Sequence, residues 1–492
     1  YQKYHTYTLS VMKKKNYTWY LWGMLLSTFA IISLLYYLPD KIFGISLQKV
    51  DIFSELRPSG ADSPNGKDKE QLARNSAAAN GDSEKEVKKR DAIYEELKKQ
   101  DITLESKAPS EASEPEQKGT QTTPKVYFED FDPSHLGLRN TYAALAKRKI
   151  EGSPLRIAFL GDSFIEADIF TIDLRSLLQS RYGGGGVGWM PFSSEVSGYR
   201  QGITHSFSGW KDHFIIRQSK DLYPLTGHYY TCEGSASLQY KVAKGYSSWD
   251  CATIFYTSNK EVQVTVSGVD STQRYSLPPS SEMNAYAIKG QNGEMNLSFS
   301  GAEGAKFYGL ALDRTKQGGG VILDNFSHRG SSGFQLGQID TQLGKRFAAL
   351  RPYHLIVLQY GLNVASDKTK DYTYYTKRMS EVIDHLRELY PHTDIIIMGV
   401  SDRAKRSSGE PHTMSSIYAL RNAQRKLASE KGIVFWDTFE AMGGEDSMGH
   451  FVKQGWAAKD YTHLSFKGGK RLADVFYNSF LFEEKYYQRI HQ

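Results

Sequence analysis

The pattern of apolar and polar residues divides the 492-residue chain into three regions. Residues 17–38 form one long apolar run without a charged side chain. Residues 40–124 are dominated by charged residues, Ser, Pro and Ala, with few large apolar side chains. From Lys125 onward, short apolar runs alternate with segments of helical periodicity, which is typical of a folded domain. We therefore predict an anchor, a linker and a globular region, in that order.

The apolar run at residues 17–38 predicts a membrane-spanning helix. At about 1.5 Å per residue it is long enough to cross a hydrocarbon core of about 30 Å. Lysines at 13–15 precede it, so the positive-inside rule places the N-terminus in the cytoplasm and the remaining chain across the membrane. A cleaved signal peptide is the alternative, but the run is longer than a usual signal-peptide core and no small-residue cleavage site follows. We expect residues 1–39 to form a cytoplasmic N-terminus and an uncleaved signal anchor.

Residues 40–124 predict a disordered, charged linker. They contain too little apolar surface to offset the entropy cost of becoming ordered. The stretch from Ser83 to Gln100 has Glu and Lys at helical spacing. It could form a solvated helix, which we expect to change the stiffness of the linker and nothing else.

Five apolar runs after Lys125 predict a parallel sheet. Each is short, β-branched or aromatic, and apolar on both faces, as expected of strands buried between helix layers. The runs are "LRIAFLG", "GVILDNFS", "HLIVLQYG", "DIIIMGV" and "GIVFWDT". Helical segments lie between them at residues 168–182, 371–390 and 416–431. The alternation indicates a doubly wound α/β domain, formed by residues 125–198 and 320–492, with ligands at the carboxyl ends of its strands.

A different pattern interrupts this domain at residues 199–319. Apolar and polar residues alternate there with a period of two, and Gly, Ser, Asn and Pro separate the runs. This pattern predicts an inserted antiparallel β-sandwich. Cys232 and Cys251 both lie in the insert, and the sequence is compatible with a disulfide or with two small buried thiols.

Composition and charge narrow the possible partners. A net charge of +6 with 24% charged residues is ordinary, so we predict no nucleic-acid partner. An aromatic content of 13% suits sugar ligands, although such residues more often belong to sheets and interfaces. The histidines show no metal-ligand spacing, and no glycine-rich nucleotide motif follows a strand. We therefore predict neither a metal nor a cofactor.

Candidate chemistry begins at the junction Gly161-Asp162-Ser163, where an apolar strand ends and a helical pattern begins. A serine at such a junction can cap the helix, or it can act as a nucleophile beside the amides of the helix N-terminus. Asp460 and His463, just before another helical pattern, are the second feature. At this spacing the carboxylate can reach Nδ1 of the histidine and leave Nε2 to accept a proton from a serine.

Two more strand ends carry suitable donors for an oxyanion. The segment "SHRGSSGF" contains Gly330 and Gly333, and "QYGLN" contains Gly361 and Asn363. Glycine backbone N–H groups and an asparagine amide can both donate to a developing negative charge.

Taken in chain order, Ser163, a glycine, Asn363 and His463 resemble the four blocks of the SGNH/GDSL hydrolases. The resemblance covers two stretches, residues 150–198 and 321–485. It implies that Ser163 is the nucleophile, His463 the base and Asp460 the residue that orients the base. It also implies an oxyanion hole formed by the N–H of Ser163, the N–H of Gly333 and the side chain of Asn363. Gly330 is the alternative glycine, but Gly333 fits the block better.

A closer resemblance rests on the run "GGGGVGWMPF" at residues 183–192, followed by the β-rich insert. This arrangement is similar to bacterial peptidoglycan O-acetylesterases, which carry a carbohydrate-binding-like sandwich there. The glycines could also be a flexible segment after the helix, a flexible helix exit. Trp189 and Phe192 beside them could form the base of a sugar-binding site.

These resemblances imply an extracytoplasmic serine esterase that removes O-acetyl groups from an O-acylated polysaccharide, with peptidoglycan favoured. We expect a single-pass protein of the bacterial inner membrane, with its catalytic domain in the periplasm or outside the cell. Two alternatives stay open: an O-acetyltransferase with the same triad, and a non-catalytic envelope protein that binds glycans.

Overall fold

The computed structural model describes residues 83–100, 124–217, 220–268, 271–290, 293–314, 319–407 and 409–492, and the backbone at 41–42 and 45–46. The predicted membrane segment and most of the predicted linker lie outside the described residues. Within the described ranges, no helix has both the length and the apolar character needed to cross a membrane. The chain separates into two units, Tyr1–Leu72 and Ala73–Gln492. In the first, strands β1 (Lys41–Ile42) and β2 (Ile45–Ser46) pair in an antiparallel manner.

The second unit contains helices whose ends follow the expected capping chemistry. Asp340 and Ser465 each accept a hydrogen bond from the first turn of the helix they precede, and left-handed glycines end two others. The helices are α1 (Glu84–Lys99), α2 (Arg139–Glu151), α3 (Thr171–Tyr182), α4 (Thr341–Leu350), α5 (Thr373–Leu389), α6 (Ser415–Lys431), α7 (Thr438–Met442), α8 (Ser447–Lys453) and α9 (Phe466–Ile490).

The strands of the second unit fall into a central sheet, two sandwich sheets and one small hairpin. They are β3 (Glu129–Asp130), β4 (Leu155–Gly161), β5 (Gly186–Met190), β6 (Ile203–Ser208), β7 (Lys211–Phe214), β8 (His228–Thr231), β9 (Ala236–Val242), β10 (Cys251–Ser258), β11 (Val262–Ser267), β12 (Thr272–Leu277), β13 (Ser280–Lys289), β14 (Glu294–Ser300), β15 (Lys306–Asp313), β16 (Val321–Ser327), β17 (Leu355–Gln359), β18 (Asp394–Met398), β19 (Ala404–Ser407), β20 (Glu410–Thr413) and β21 (Val434–Trp436).

The central sheet has the order β16-β4-β17-β18-β21-β3. Strands β17 and β18 are buried along their whole length, because an α/β sheet of this kind is covered on both faces. The strands from β16 to β21 are parallel, whereas the short edge strand β3 runs antiparallel to β21. The predicted α/β fold with additional antiparallel sheets is therefore confirmed, with a mixed rather than a purely parallel central sheet.

The sandwich consists of two antiparallel sheets. One has the order β13-β10-β15-β8-β7 with β5 added on β15, and the other has the order β12-β11-β14-β9-β6. Alternate residues of β11 and β14 are buried, as expected of strands with one face on a core. Strand β5 joins this sandwich although it precedes the predicted insert at residues 199–319. Both cysteines are buried, free thiols.

The glycine run at residues 183–186 leads into β5 and lets the backbone pack closely. Gly186 and Gly188 have φ values of +85° and +73°, a left-handed region that favours glycine. A Cβ on Gly186 would clash with the carbonyl of Leu312 in β15, and one on Gly188 would clash with Asp324 in β16. The glycines are therefore required by packing at the junction of the sandwich and the central sheet, and they are not a flexible helix exit.

A buried ion cluster connects the sandwich to the central sheet. Arg351, after α4, contacts Asp313 at the end of β15 (Nη1 to Oδ2, 2.8 Å) and Asp324 in β16 (Nε to Oδ2, 2.5 Å). Asp324 also accepts a hydrogen bond from the backbone N–H of Trp189 in β5 (2.8 Å). One guanidinium thus bridges a sandwich strand and a strand of the central sheet.

Helix α1 corrects the interpretation of the linker. Its residues Tyr94 and Leu97 are buried against Phe482 and Tyr486 of α9, and the Tyr94 hydroxyl donates to the carbonyl of Phe128 (2.7 Å). The prediction of a helix that only stiffens the linker is wrong, because one helix face carries apolar residues that bury against α9. The Glu and Lys pairs at helical spacing indicate only the opposite, solvated face of the helix.

Candidate active site

The serine turn follows directly from strand β4. Gly161 leaves room there for two side chains: an added Cβ would lie 2.7 Å from the Ile165 side chain and 2.8 Å from that of Gln359, so both would have to shift. Asp162 accepts the backbone N–H of Phe164 (2.9 Å), which closes the turn. Phe164 and Ile165 are buried, while Ser163 stays partly exposed at the sheet edge.

The helix after the serine starts later than predicted. A 3-10 turn at Glu166–Asp168 follows the serine turn, and α3 begins only at Thr171. Ala167 and Asp168 have positive φ values of 54° and 64°, which interrupt helical geometry. The predicted junction, in which the helix follows Ser163 directly and aims its N-terminal amides at it, is therefore wrong, because α3 begins only at Thr171.

Asp168 fixes the conformation of this segment. Its buried carboxylate contacts Arg175 (3.3 Å) and Arg200 (2.5 Å), and it accepts hydrogen bonds from Thr171 and Asn325. Burial opposes ionisation, but the two guanidinium groups hold the pKa of Asp168 far below its usual range. These contacts stabilise an otherwise unfavourable left-handed backbone.

Ser163, His463 and Asp460 form a continuous chain of hydrogen bonds. Ser163 Oγ lies 3.0 Å from His463 Nε2, and His463 Nδ1 lies 2.7 Å from Asp460 Oδ2. The other carboxylate oxygen of Asp460 accepts the backbone N–H groups of Thr462 (3.0 Å) and His463 (3.1 Å). The structure thus brings Ser163 to the Asp460–His463 pair, 300 positions away in sequence, in the order that nucleophile, base and orienting acid require.

The acid and base are half exposed, with 49% and 43% of the Asp460 and His463 side chains accessible. Burial raises the pKa of Asp460, but hydrogen bonds from the His463 side chain and backbone outweigh it and hold the pKa below its ordinary value. Asp460 is therefore a carboxylate at neutral pH. A carboxylate can only accept, so Nδ1 carries the proton and Nε2 accepts from Ser163.

The predicted oxyanion donors lie beside this chain. Among the described residues, the Ser163 N–H has no acceptor. The Gly333 N–H donates to Ser331 Oγ (2.9 Å), and Asn363 Nδ2 donates to the carbonyl of Ser331 (2.8 Å) and to Asp162 Oδ2 (3.0 Å). The roles of these donors stay predictions, and two of them already have partners in the protein.

The two candidate glycines differ in their surroundings. Both have positive φ, but a Cβ on Gly333 would meet the Tyr360 ring at 2.9 Å and Met379 Sδ at 3.0 Å. A Cβ on Gly330 would have open space around it. Close packing therefore restricts position 333 to glycine more strictly than position 330.

Sequence reasoning missed Asp162 and Ser331 as partners of the asparagine. Asp162 is fully buried, and burial raises its pKa to about 6. Its carboxylate holds the Asn363 amide, while Ser331 contacts both Asn363 and Gly333. Asp162 stands in the Gly-Asp-Ser motif, but only the folded chain shows that it faces the asparagine.

The predicted sugar-binding surface of Trp189 and Phe192 is not formed. Phe192 is fully buried in the sandwich core and packs against Trp210, Tyr230 and Phe307, so this prediction is wrong for Phe192. Trp189 is 3% exposed and lies in the wall of a cleft beside the sandwich. Within the described part of the chain, no group of three or more His, Cys, Asp or Glu side chains could hold a metal ion.

Comparison with known proteins gives one family match. Residues 294–470 match the GDSL-like Lipase/Acylhydrolase family. This range contains Gly333, Asn363, Asp460 and His463, whereas Ser163 lies before it, separated by most of the sandwich. No protein of curated function matches the chain in sequence.

The chain also resembles solved structures. A structure described as a peptidoglycan O-acetylesterase in action shares 21% identity and a TM-score of 0.60, over 73% of this chain and 99% of that chain. An acetyl xylan esterase overlaps over 32% of this chain and 80% of that chain, with 18% identity and a TM-score of 0.25. Only the first likeness is strong enough to support the fold. The family match, the fold and the geometry around Ser163 together support a serine hydrolase similar to the GDSL-like acylhydrolases.

Proposed function

We propose that the protein is an esterase that removes O-acetyl groups from a cell-envelope glycan, with peptidoglycan as the favoured substrate. The observation that supports the chemistry is the chain of hydrogen bonds from Ser163 through His463 to Asp460. The glycan substrate rests on the fold shared with the peptidoglycan O-acetylesterase structure and on the sandwich attached beside the sheet edge.

The first half of the reaction acylates the serine. His463 Nε2 accepts the proton of Ser163 Oγ as the oxygen attacks the acetyl carbonyl. Asp460 stabilises the imidazolium that forms, because its carboxylate faces Nδ1 at 2.7 Å. The tetrahedral intermediate collapses, the histidine returns the proton to the sugar oxygen, and the sugar alcohol leaves.

The second half releases acetate. Water enters in place of the sugar, His463 accepts one of its protons, and the hydroxide attacks the acetyl-serine carbonyl. The second tetrahedral intermediate then expels Ser163 Oγ, which recovers its proton from the histidine. If a sugar hydroxyl replaces water at this step, the same residues perform acetyl transfer.

Stabilisation of the oxyanion requires a change of hydrogen-bond partners. Gly333 and Asn363 donate to Ser331 in the structure. An oxyanion carries more negative charge than the hydroxyl or carbonyl of Ser331, so it is the better acceptor for both donors. Asp162 holds the Asn363 amide from the other side and limits its reorientation.

The proposed location is outside the cytoplasm. The uncharged run at residues 17–38 would anchor the chain in the bacterial inner membrane, with Lys13–Lys15 on the cytoplasmic side. The charged segment that follows would give the hydrolase domain reach into the periplasm or beyond. Fusion of a periplasm-active reporter at the C-terminus tests this orientation, and activity only in the cytoplasm would contradict it.

One set of assays tests the activity. Acetate release is measured from 4-nitrophenyl acetate and from O-acetylated peptidoglycan, with wild type, Ser163→Ala and the exposed-serine control Ser366→Ala. We expect Ser163→Ala to lose roughly 10⁴-fold or more in rate on both substrates, and Ser366→Ala to lose nothing. Wild-type turnover in folded Ser163→Ala would refute the serine mechanism. Acetylation of an added acceptor glycan, with little free acetate, would favour the transferase.

A further inference from the structure

A cleft of about 260 Å³ lies between the sandwich and the α/β domain, next to the serine turn. One wall is formed by residues 166–168 and 325–329. The N–H of Glu166 donates to the carbonyl of Ser163 (3.4 Å), and Ser327 pairs in register with Gly161. Strands β7 and β8 of the sandwich contribute to the opposite wall. A polymer bound at Ser163 can therefore extend into this cleft.

The cationic side chains of the cleft are paired with carboxylates. Each arginine that lines the cleft contacts an acid at 2.5 or 2.6 Å, and both members of each pair line it. The pairs are Arg200 with Asp168, Arg217 with Glu195, and Arg329 with Glu166. A polyanionic ligand would have to compete with these carboxylates. The electrostatics therefore favour an uncharged ligand with many hydrogen-bonding groups.

A second Asp–His pair lies in this cleft, on the sandwich side. His228 Nδ1 is 2.8 Å from Asp212 Oδ1, and 22% and 29% of the two side chains are exposed. The His228 ring stacks on Phe214, with 4.2 Å between ring centroids and an interplanar angle of 7°. Because Nδ1 of His228 contacts Asp212 and one ring face stacks on Phe214, the ring edge that bears Nε2 can contact a ligand. In the described part of the chain, Nε2 has no hydrogen-bond partner.

A second histidine, His328, lies behind His228. The two ring centroids are 5.3 Å apart, and His328 donates from Nε2 to the carbonyl of Thr226 (2.8 Å). Burial lowers the pKa of His328 to about 3, so it adds no positive charge to the cleft. Ile216, which is 44% exposed, adds an apolar side chain to the lining.

We propose that this cleft is a subsite for an uncharged sugar ring of the polymeric substrate, and that the Asp212–His228 pair determines its specificity. The carboxylate of Asp212 fixes the proton on Nδ1, so Nε2 accepts a hydrogen bond from a sugar hydroxyl. The exposed apolar side chain of Ile216 contacts the sugar ring. The inference rests on the proposed function and specifies where the glycan beyond the acetylated sugar binds.

The test compares polymer and small-ester activity in His228→Ala and in the matched control His213→Ala. His213 is on the same hairpin, stacks on Tyr229 and does not line the cleft. The measured quantity is the ratio of kcat/KM for O-acetylated peptidoglycan to kcat/KM for 4-nitrophenyl acetate. We expect His228→Ala to lower this ratio about tenfold, the scale of one hydrogen bond to a ligand, and His213→Ala to leave it unchanged. Equal ratios in His228→Ala and wild type would overturn the proposal.

A binding arm separates failure of the subsite from failure of the proposed function. In a Ser163→Ala background, calorimetry measures binding of an N-acetylglucosamine tetramer and of a polygalacturonate oligomer, with and without His228→Ala. Binding of the tetramer that weakens about tenfold with His228→Ala supports the subsite. Unchanged tetramer affinity, or tighter binding of the polyanion, overturns it. If wild type hydrolyses only 4-nitrophenyl acetate and no glycan, the proposed function is wrong, and the tetramer result alone decides the subsite.

Discussion

Replacement of Asp460 by asparagine separates its two tasks. One carboxylate oxygen accepts His463 Nδ1 at 2.7 Å, and the other accepts the backbone N–H groups of Thr462 and His463. Asparagine has a single carbonyl oxygen, so Asp460→Asn can keep either the turn or the contact with the imidazole. In both cases the variant loses the negative charge that stabilises the imidazolium.

The magnitude follows from the type of bond and from its exposure. A charge-assisted hydrogen bond contributes about 1.5–3 kcal/mol, which corresponds to a rate factor of roughly 10 to 150. Because 49% and 43% of the two side chains are exposed, water replaces part of the lost interaction. We therefore expect kcat/KM to fall about 10- to 50-fold in Asp460→Asn, far less than in Ser163→Ala.

The assay is the kcat/KM for 4-nitrophenyl acetate, with Asp446→Asn as the matched control. Asp446 is similarly exposed, and its two oxygens contact His412 Nδ1 (3.2 Å) and the N–H of Thr413 (2.8 Å). It is not part of the triad, so we expect no change in rate. A loss below about threefold in folded Asp460→Asn, or an equal loss in the control, would refute the assignment of Asp460 as the residue that orients the base.

Asp162→Asn should lower kcat about 10- to 100-fold with little change in KM, because Asn363 loses its anionic acceptor. Steady-state kinetics measure both constants, and an unchanged kcat would contradict this role of Asp162. Burial raises the pKa of Asp162 from 3.8 to about 6, so the folded state binds this proton more tightly than the unfolded state. The free energy of unfolding should therefore fall by an amount on the order of 3 kcal/mol as pH rises from about 4 to 6 in wild type, and Asp162→Asn should lack this contribution in urea denaturation. Arg351→Met leaves two buried carboxylates without their cation and should cost about 3–5 kcal/mol of stability. Arg346→Met, at a half-exposed position, should cost less than about 1 kcal/mol, and equal urea midpoints for the two variants would contradict this. Tyr94→Ala should detach α1 from α9, so that amide hydrogen exchange accelerates at residues 83–100 while esterase activity is retained. Unchanged exchange would show that the helix packs against α9 without this contact.

The hydrogen-bond network around Asn363 illustrates what local sequence cannot show. Asp162 and Asn363 are 201 positions apart, and Ser331 lies on a third segment. Their contact depends on the neighbouring positions of β4, β16 and β17 in the sheet. Sequence periodicity assigns each strand but not which polar side chains at the strand ends face one another.

Local sequence was sufficient wherever the signal lies within a few residues. The apolar runs indicated the buried strands, the period of two indicated the sandwich, and the spacing of Asp460 and His463 brought the acid within reach of the base. These features depend on backbone periodicity and on short-range geometry, which neighbouring residues determine.

Tertiary structure decided which face of each element is covered. Phe192 is a core residue because β5 joins the sandwich, and Tyr94 is buried because α9 offers an apolar face to α1. His228 gains its partner only when β7 and β8 pair, and it meets the cleft only because the sandwich lies beside β16. An aromatic or charged side chain has the same local pattern whether it faces a core, a partner or a ligand. Its role is therefore set by the long-range packing that the folded chain alone specifies.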